Sequence, residues 1–377
     1  ISECGLSTTD TIVGQFKNFG ALDLDSFRIG YQVNSSPISW DTINTSLAPG
    51  DSISHAFNQT ANLGLVQTYQ IKLIADYFGE LDRSNDTVTT QVTSLLVYSL
   101  PFFDDFEDTA IVWSFGGTRS TWERGLPSGL FIDTTWSGIN CLVTNLSGDY
   151  NNNENSYIES PCFDFSQDTI DPVLSYYTIY HIEKRFDWLR WQYSLDKGKS
   201  WQNLNRGAIA SNWGNLGDST DNDIDGNSQK WIRVQNRLDN FAGQSAVKFR
   251  LVFLSDGSRQ YEGATIDDLR LYTPSNDLSI DSINDFNRYE CGFSDSMIFT
   301  AYLSNWSPDT IRSFRINYLV NNSLLVTDSV NRIIPPFTKF PYQFTNSSNL
   351  SQVGEYEIDF WVNVNGDSNN DNDSIKD

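Results

Sequence analysis

Four carboxylates near the two ends of one long stretch are the first candidates for chemistry. Asp105 and Glu107 stand in Phe102-Phe103-Asp104-Asp105-Phe106-Glu107-Asp108, and Asp267 with Asp268 in Glu262-Gly263-Ala264-Thr265-Ile266-Asp267-Asp268-Leu269-Arg270-Leu271-Tyr272. Both stretches read as strands. Oxygen ligands from two adjacent strand ends suit Ca2+, which takes about six to eight oxygens, backbone carbonyls included. Carboxylates gathered in this way repel one another unless a cation neutralises them. The expectation is a structural Ca2+ held by Asp105, Glu107, Asp267 and Asp268, with Glu154 as a weaker addition. Solvated strand-end carboxylates are the plain alternative.

Other motifs promise less. Asp221-Asn222-Asp223-Ile224-Asp225-Gly226 opens like an EF-hand loop, but the twelfth position is Ile232, where a bidentate Glu is required. It reads as a polar surface loop. Ser194-Leu195-Asp196-Lys197-Gly198-Lys199-Ser200-Trp201 fits the pattern S-x-D-x-G-x-x-W, a tight hairpin turn with Trp packed beneath it. The chain has only two histidines, His55 and His181, and no nucleophile elbow, no H-E-x-x-H and no P-loop. Among 48 acidic residues, carboxylate pairs are inevitable and none stands out. No catalytic residue is expected, and the chain is read as not an enzyme.

Tryptophans 188, 191, 201, 213 and 231 crowd one region. Trp188 and Trp191 are three apart, so in a strand they face opposite sides and one of them belongs to the core. Trp188 and Trp213 are the candidates for an exposed sugar-stacking platform, against core packing for most of the others. Four cysteines allow three full pairings. Cys141 and Cys162 flank a strand–loop–strand, and a disulfide between them is expected, with two buried thiols as the alternative. Cys4 and Cys291 each stand alone, in states the sequence leaves open. None has the spacing of a zinc site.

The net charge of −23 excludes the basic footprint of a nucleic-acid binder and disfavours docking on an anionic membrane. No apolar run approaches the roughly 20 residues that span a bilayer. Few Lys and many Asn, Ser, Thr and Asp suit an extracellular β protein.

Behind these residues lies an all-β pattern. Thr11–Phe16, Phe27–Val33 and Thr68–Ala75 alternate with period two and are separated by turn signals such as Asn34-Ser35-Ser36-Pro37 and Leu47-Ala48-Pro49-Gly50. The pattern returns late in the chain at an offset of 287 residues, from Cys4 to Cys291, Asn18 to Asn305, Phe27 to Phe314, Tyr31 to Tyr318, Pro49 to Pro336, Phe57 to Phe344 and Tyr69 to Tyr356. This gapless repeat is the main organising feature. It divides the chain into a small domain at 1–98, a central domain at 99–273 and a second small domain at 274–377. The pattern is cut at both ends, which suggests a longer parent chain in which the unit recurs.

Asp followed by Ser or Thr and a small or aliphatic residue marks Thr11, Thr42, Ser52, Thr87, Thr109, Thr169, Ser282, Ser296, Thr310, Ser329 and Ser374. This resembles the O-glycosylation acceptor motif of Bacteroidota, and the expectation is that these residues carry surface glycans.

The small domains resemble CARDB-type immunoglobulin-like domains of bacterial surface proteins, through Asn18-Phe19-Gly20, Ile29-x-Tyr31-x-Val33 and Leu47-Ala48-Pro49-Gly50. Such domains are usually spacers. The central domain resembles the MAM-like, or cleaved-adhesin, jelly rolls of secreted Bacteroidota proteins, through Asp105-Phe106-Glu107, Ser160-Pro161-Cys162-Phe163-Asp164 and Gly263-Ala264-Thr265-Ile266-Asp267-Asp268. The resemblance implies two Ig-like sandwiches flanking a larger jelly roll. It also implies calcium where first and last strands meet, at Glu107 and Asp267 foremost. The functional expectation is a non-catalytic segment of a large secreted or cell-surface repeat protein, acting in adhesion or as an extracellular filament. Its partners would be neighbouring copies or surface glycans, with no nucleic acid and no direct membrane insertion. The alternative is a carbohydrate-binding accessory module of a secreted enzyme.

Overall fold

A computed structural model describes residues 2–80, 82–214, 222–284, 293–367 and 369–376. The described residues are nearly all β, with two 3-10 turns at Arg83–Asn85 and Asn370–Asn372.

The first stretch forms β1 (Ser2–Cys4), β2 (Val13–Lys17), β3 (Phe27–Val33), β4 (Ser39–Ile43), β5 (Ser52–Ala56), β6 (Thr68–Asp76) and β7 (Thr87–Leu95). One sheet runs β1-β7-β6-β3-β4, and β2 pairs with β5 in a second. Alternation along β3 sends Phe27, Ile29 and Tyr31 into a core shared with Ile43, Phe57, Tyr69 and Ile71.

The middle follows with β8 (Val97–Tyr98), β9 (Phe102–Asp104), β10 (Ser114–Thr118), β11 (Trp122–Gly125), β12 (Cys141–Thr144), β13 (Asn155–Glu159), β14 (Cys162–Phe163), β15 (Val173–Thr178), β16 (Tyr180–Ile182), β17 (Trp188–Ser194) and β18 (Gln202–Asn203). It continues with β19 (Ala210–Ser211), β20 (Gly226–Asn227), β21 (Ile232–Arg237), β22 (Lys248–Leu254) and β23 (Gly263–Tyr272). Two sheets face each other. One is β10-β13-β22-β17-β18, and the other is built on β11-β12-β23-β15-β21-β19 with β9 and β16 also on β23. Phe106, Tyr176, Trp191, Phe253 and Leu271 are among the side chains packed between them. The expected pairing of the first and last strands is formed, Phe102 opposite Leu271 and Asp104 opposite Leu269.

The remainder forms β24 (Leu278–Ile283), β25 (Thr300–Asn305), β26 (Ile311–Val320), β27 (Leu324–Ile334), β28 (Thr338–Gln343), β29 (Ile358–Asn363) and β30 (Ser374–Lys376). The sheets β24-β25-β28 and β27-β26-β29-β30 enclose a third core. The hydrogen bonds of the first stretch recur here at the offset of 287. Asn18 Nδ2 donates to the carbonyls of Leu22 and Leu47, and Asn305 Nδ2 to those of Asp309 and Ile334. Tyr31 donates its hydroxyl to Gln59 O and Tyr318 to Asn346 O. Asn34 and Asn321 both take a left-handed backbone, with φ 50° and 49°. The side chains of Asn18, Asn305, Tyr31 and Tyr318 tie main-chain carbonyls of the connecting segments to the sheets.

One covalent link departs from the sequence expectation. Cys162 is bonded to Cys4, not to Cys141, and Cys141 is a buried free thiol. The reason is topological. β14 pairs in parallel with β8, placing Cys162 opposite Val97, two residues beyond Leu95, the β7 partner of Cys4. Cys141 lies on β12 against Ile132, Val143 and Ile179. Burial pushes its thiol pKa well up, with the charges of Asp267 and Glu107 adding to the effect. Cys291 lies outside the described residues.

The last segment also meets the central sheet, through a separate apolar cluster. Trp306 is fully buried against Val173 and Ile209, with Tyr272 and Phe337 at the rim. Arg270 forms an ion pair with Asp371, 2.5 Å apart, and Arg237 stacks over Phe337. Buried Asp277 accepts hydrogen bonds from Asn372 Nδ2, at 2.6 Å, and from the Tyr272 hydroxyl, at 3.2 Å.

Candidate functional site

The site is built around an irregularity in β23. Ala264 and Ile266 point into the central core, and so do Leu269 and Leu271. In a regular strand, residues 266 and 269 would face opposite sides. A β-bulge reconciles them, with Ser175 opposite Arg270 but Tyr177 opposite Asp267, and Asp268 in a left-handed conformation at φ 46°. The bulge absorbs one residue and turns both carboxylates away from the core.

What they face is the connection between β11 and β12, residues 126–140. Asp267 Oδ2 accepts from the backbone N–H groups of Trp136 and Ser137, at 2.9 and 3.1 Å, and Asp268 Oδ1 accepts from the Ser137 hydroxyl at 2.7 Å. Glu107 Oε1 accepts from the N–H groups of Ile139 and Asn140, both at 2.7 Å, and its Oε2 from Asn140 Nδ2 at 2.6 Å. Glu262 accepts from the N–H groups of Leu130, Phe131 and Ile132. Carboxylates on and beside the first and last strands of the sandwich, Glu107, Glu262 and the Asp267–Asp268 pair, therefore strap one loop at three points. Charge-assisted hydrogen bonds of this kind are about twice as strong as neutral ones. The loop glycines belong to the device: a Cβ on Gly129 would collide with Glu262, and one on Gly138, which sits at φ 56°, with Glu107.

This geometry bears on the expected calcium ligands. The Glu107 and Asp267 oxygens meet N–H donors of the loop. Asp105 Oδ1 accepts from Glu107 N–H. As arranged, these acids clamp a loop. Glu154 likewise accepts from Thr121 and Ser156. Burial, the largest influence, pushes the Asp267 pKa up to about 7, with Asp268 adding repulsion and the three N–H donors opposing it.

A second group of acids lies elsewhere, with no motif in the sequence to mark it. Among the described residues, Glu183, Asp187 and Asp256 each offer an oxygen within 4.8 Å of the others. Asp187 accepts from the Tyr150 hydroxyl at 2.6 Å and from Asp256 N–H at 2.7 Å. Glu183 is 8% exposed, and its Oε2 has no hydrogen-bond donor. Burial and the neighbouring acids push the pKa values of Glu183 and Asp187 upward.

The strapped loop presents apolar surface. Leu126, Leu130, Trp136 and Ile139 are all exposed, Trp136 by 45%. The Trp136 ring lies flat on Tyr177, with centroids 3.9 Å apart and planes 10° apart, and Trp231 stands 6.2 Å away. His181 and Phe131 form a second contact at 5.5 Å, with the Tyr261 ring tilted 31° to His181 at 4.3 Å. Trp136 and its neighbours form a partly exposed aromatic platform.

The expected platform residues do not form it. Trp213 is 2% exposed and belongs to the central core. Trp188 is half-buried, with the Arg190 guanidinium 4.6 Å above its ring, and Trp191 is the core member of that pair. The sequence carries no signal for Trp136, which sits in a Thr-, Ser- and Gly-rich connection with no strand alternation. The hairpin at Ser194–Trp201 forms as expected, with Asp196 accepting from Ser194 and Ser200. Of the EF-hand-like stretch, Asp221 lies outside the described residues, Arg190 pairs with Asp223, and Asp225 accepts from Arg185 N–H. All eleven candidate glycosylation residues, Thr11 through Ser374, are exposed.

A family model described as the immune inhibitor A-like MAM domain matches residues 146–293. No curated protein matches the chain. Among solved structures, the chain is similar to a glycoside hydrolase domain, Endo-D from Streptococcus pneumoniae R6, at 12% identity and a TM-score of 0.29. That match covers 70% of this chain and 36% of the other. A second similar structure is described under the promiscuous specificity of carbohydrate-binding modules from the β-sandwich superfamily. It has 10% identity and a TM-score of 0.25, covering 71% of this chain and 98% of the other. Among the described residues, no helix is long and apolar enough to cross a membrane.

Proposed function

We propose that this chain is a non-catalytic segment of a secreted or cell-surface repeat protein acting in adhesion, and that the Trp136 platform is where it meets surface glycans. The observation that carries the reading is the Trp136–Tyr177 stack on a loop strapped by Glu107, Asp267 and Glu262. A flat aromatic face offers apolar contact to the C–H face of a sugar ring, and a pre-ordered loop loses little entropy on binding. The three apolar cores support the division into 1–98, 99–273 and 274–377. The matching hydrogen bonds at the offset of 287 support reading the flanks as one repeated spacer of CARDB-like type. A Bacteroidota origin rests on the acceptor-motif density and the cleaved-adhesin signature. The negative charge argues against nucleic acid as a partner.

The same platform serves the second reading, a carbohydrate-binding accessory module of a secreted enzyme. The two share their ligand and differ in what else the parent polypeptide carries. The test of both is a glycan array probed with the full chain and with Trp136→Ala. The expected result is binding that falls at least about tenfold in the variant, the loss of roughly 1.4 kcal/mol of contact. Equal binding by the two proteins would overturn the platform as the site.

A further inference from the structure

The two small segments share a fold but not their surroundings, and the difference points to a docking face. In the later one, β24 lies along β25, with Leu278 opposite Asn305 and Ile280 opposite Leu303. In the earlier one, β2 occupies the place of β25 and pairs on one side only, with β5. Positions sealed in the later segment are open in the earlier one. Leu303, Phe340 and Phe360 are buried, whereas their counterparts at the offset of 287, Phe16, Ile53 and Leu73, are only half-buried. Trp306 is fully buried against the central sheet, whereas its counterpart Phe19 is 72% exposed. Asn372 is buried against Asp277, whereas its counterpart Asn85 is exposed. Val13, on the free edge of β2, is 60% exposed.

We infer that the face of the first segment formed by β2, Phe19 and Asn85 is a docking site for another copy of the central segment, joined ahead of Ile1 and carrying its own strand of the Leu278–Ile283 sequence. That strand pairs antiparallel with β2, adding the main-chain ladder that an open edge lacks. Its two inward residues, the equivalents of Leu278 and Ile280, close over Phe16, Ile53 and Leu73. Phe19 takes on the new copy the place that Trp306 takes against Val173 and Ile209 here. The occupant is fixed by the chain itself, because the complementary half of this interface is already present once, between the central sheet and the later segment. The result would be a stiff, repeating rod in which each small segment is completed by the unit before it. This inference deepens the neighbouring-copy partner of the proposed function and does not depend on glycan binding, which a different face would carry out.

The experiment compares three proteins by hydrogen exchange: the chain as described, the chain extended ahead of Ile1 by residues 274–287, and the chain extended by residues 99–287. Both extensions are expected to slow exchange of the 14–18 amides by at least about tenfold, as pairing of a free edge does. Only the longer one is expected to protect the Phe19 turn as well. Phe19→Asp in the longest protein is expected to release that turn while leaving the 14–18 ladder protected. If neither extension changes exchange at 14–18, the inference fails. If Phe19→Asp changes nothing at the turn in the longest protein, the sheet-face half of the contact fails. Glycan binding is measured on the same proteins, so loss of one reading is not mistaken for loss of the other.

Discussion

Cys4 and Cys162 are joined across 158 residues of chain, so that the start of the first segment is tied to β14 at the edge of the central sandwich. The bond closes a long loop and removes many conformations from the unfolded chain. In the loop-entropy account such a link contributes about 2–4 kcal/mol.

Breaking that link should therefore be felt in both segments. Cys4→Ser is expected to lower stability by about 2–4 kcal/mol, read by urea denaturation, and to loosen the first segment before the central one. Peptide mapping without reductant should recover a Cys4–Cys162 peptide pair. Cys141 should resist alkylation in the native state, because its thiol is buried and its pKa raised. A Cys141–Cys162 peptide pair would contradict the structure.

The loop clamp gives a second expectation. Gly138→Ala places a Cβ against the Glu107 carboxylate at a residue with φ 56°. It should cost about 1–3 kcal/mol and loosen the loop that carries Trp136. Binding to any glycan found for the chain should weaken in parallel. Unchanged stability would mean that the clamp can shift at no cost.

The tryptophans separate core from surface. Trp213→Ala should cost about 3–5 kcal/mol, because it empties a filled core position. Trp136→Ala should lie within about 1 kcal/mol of the parent protein, a change confined to the surface. The two denaturation curves read this directly, and reversed magnitudes would refute the assignment of roles.

Acidity should stabilise the fold over a defined window. Asp267, Asp277 and Asp373 are each pushed up to about 7, burial being the largest cause in all three. In the unfolded chain these groups titrate near about 4. Between those values the folded state binds more protons than the unfolded one. Stability therefore falls as pH rises from about 4 to about 7 and levels off above that. The melting temperature should be higher at about pH 5.5 than at about pH 8, and Asp277→Asn should flatten part of the slope. An opposite slope would mean that these carboxylates are ionised and paired in the fold.

Calcium can be assigned by the same assay. Millimolar calcium is expected to raise the melting temperature through Glu183, Asp187 and Asp256, the set with a buried oxygen that has no donor. Glu183→Gln should remove that increment and Glu107→Gln should retain it. Identical melting in chelator and in calcium would remove the cation from the account.

Much of this molecule was legible in its residues. Period-two alternation with Gly, Pro and Asn turns determines an all-β chain, because side-chain direction in a strand is a local property. The offset of 287 is likewise a property of the string, and the repeated Asn18 and Asn305 capping bonds follow from it. Even the bulge left a trace, in apolar residues at 264 and 266 followed by 269 and 271. Only the tertiary structure decided the rest. Cysteine pairing depends on which strands lie side by side, and β14 lies beside β8. Exposure of a tryptophan depends on what packs over it, and this separates Trp136 from Trp213. The role of a carboxylate depends on what lies opposite. Asp267 and Glu107 face backbone N–H groups from a loop some 130 and 30 residues away in sequence. Glu183 faces two other acids. Local pattern fixes where side chains point, and only the packed fold fixes what they meet.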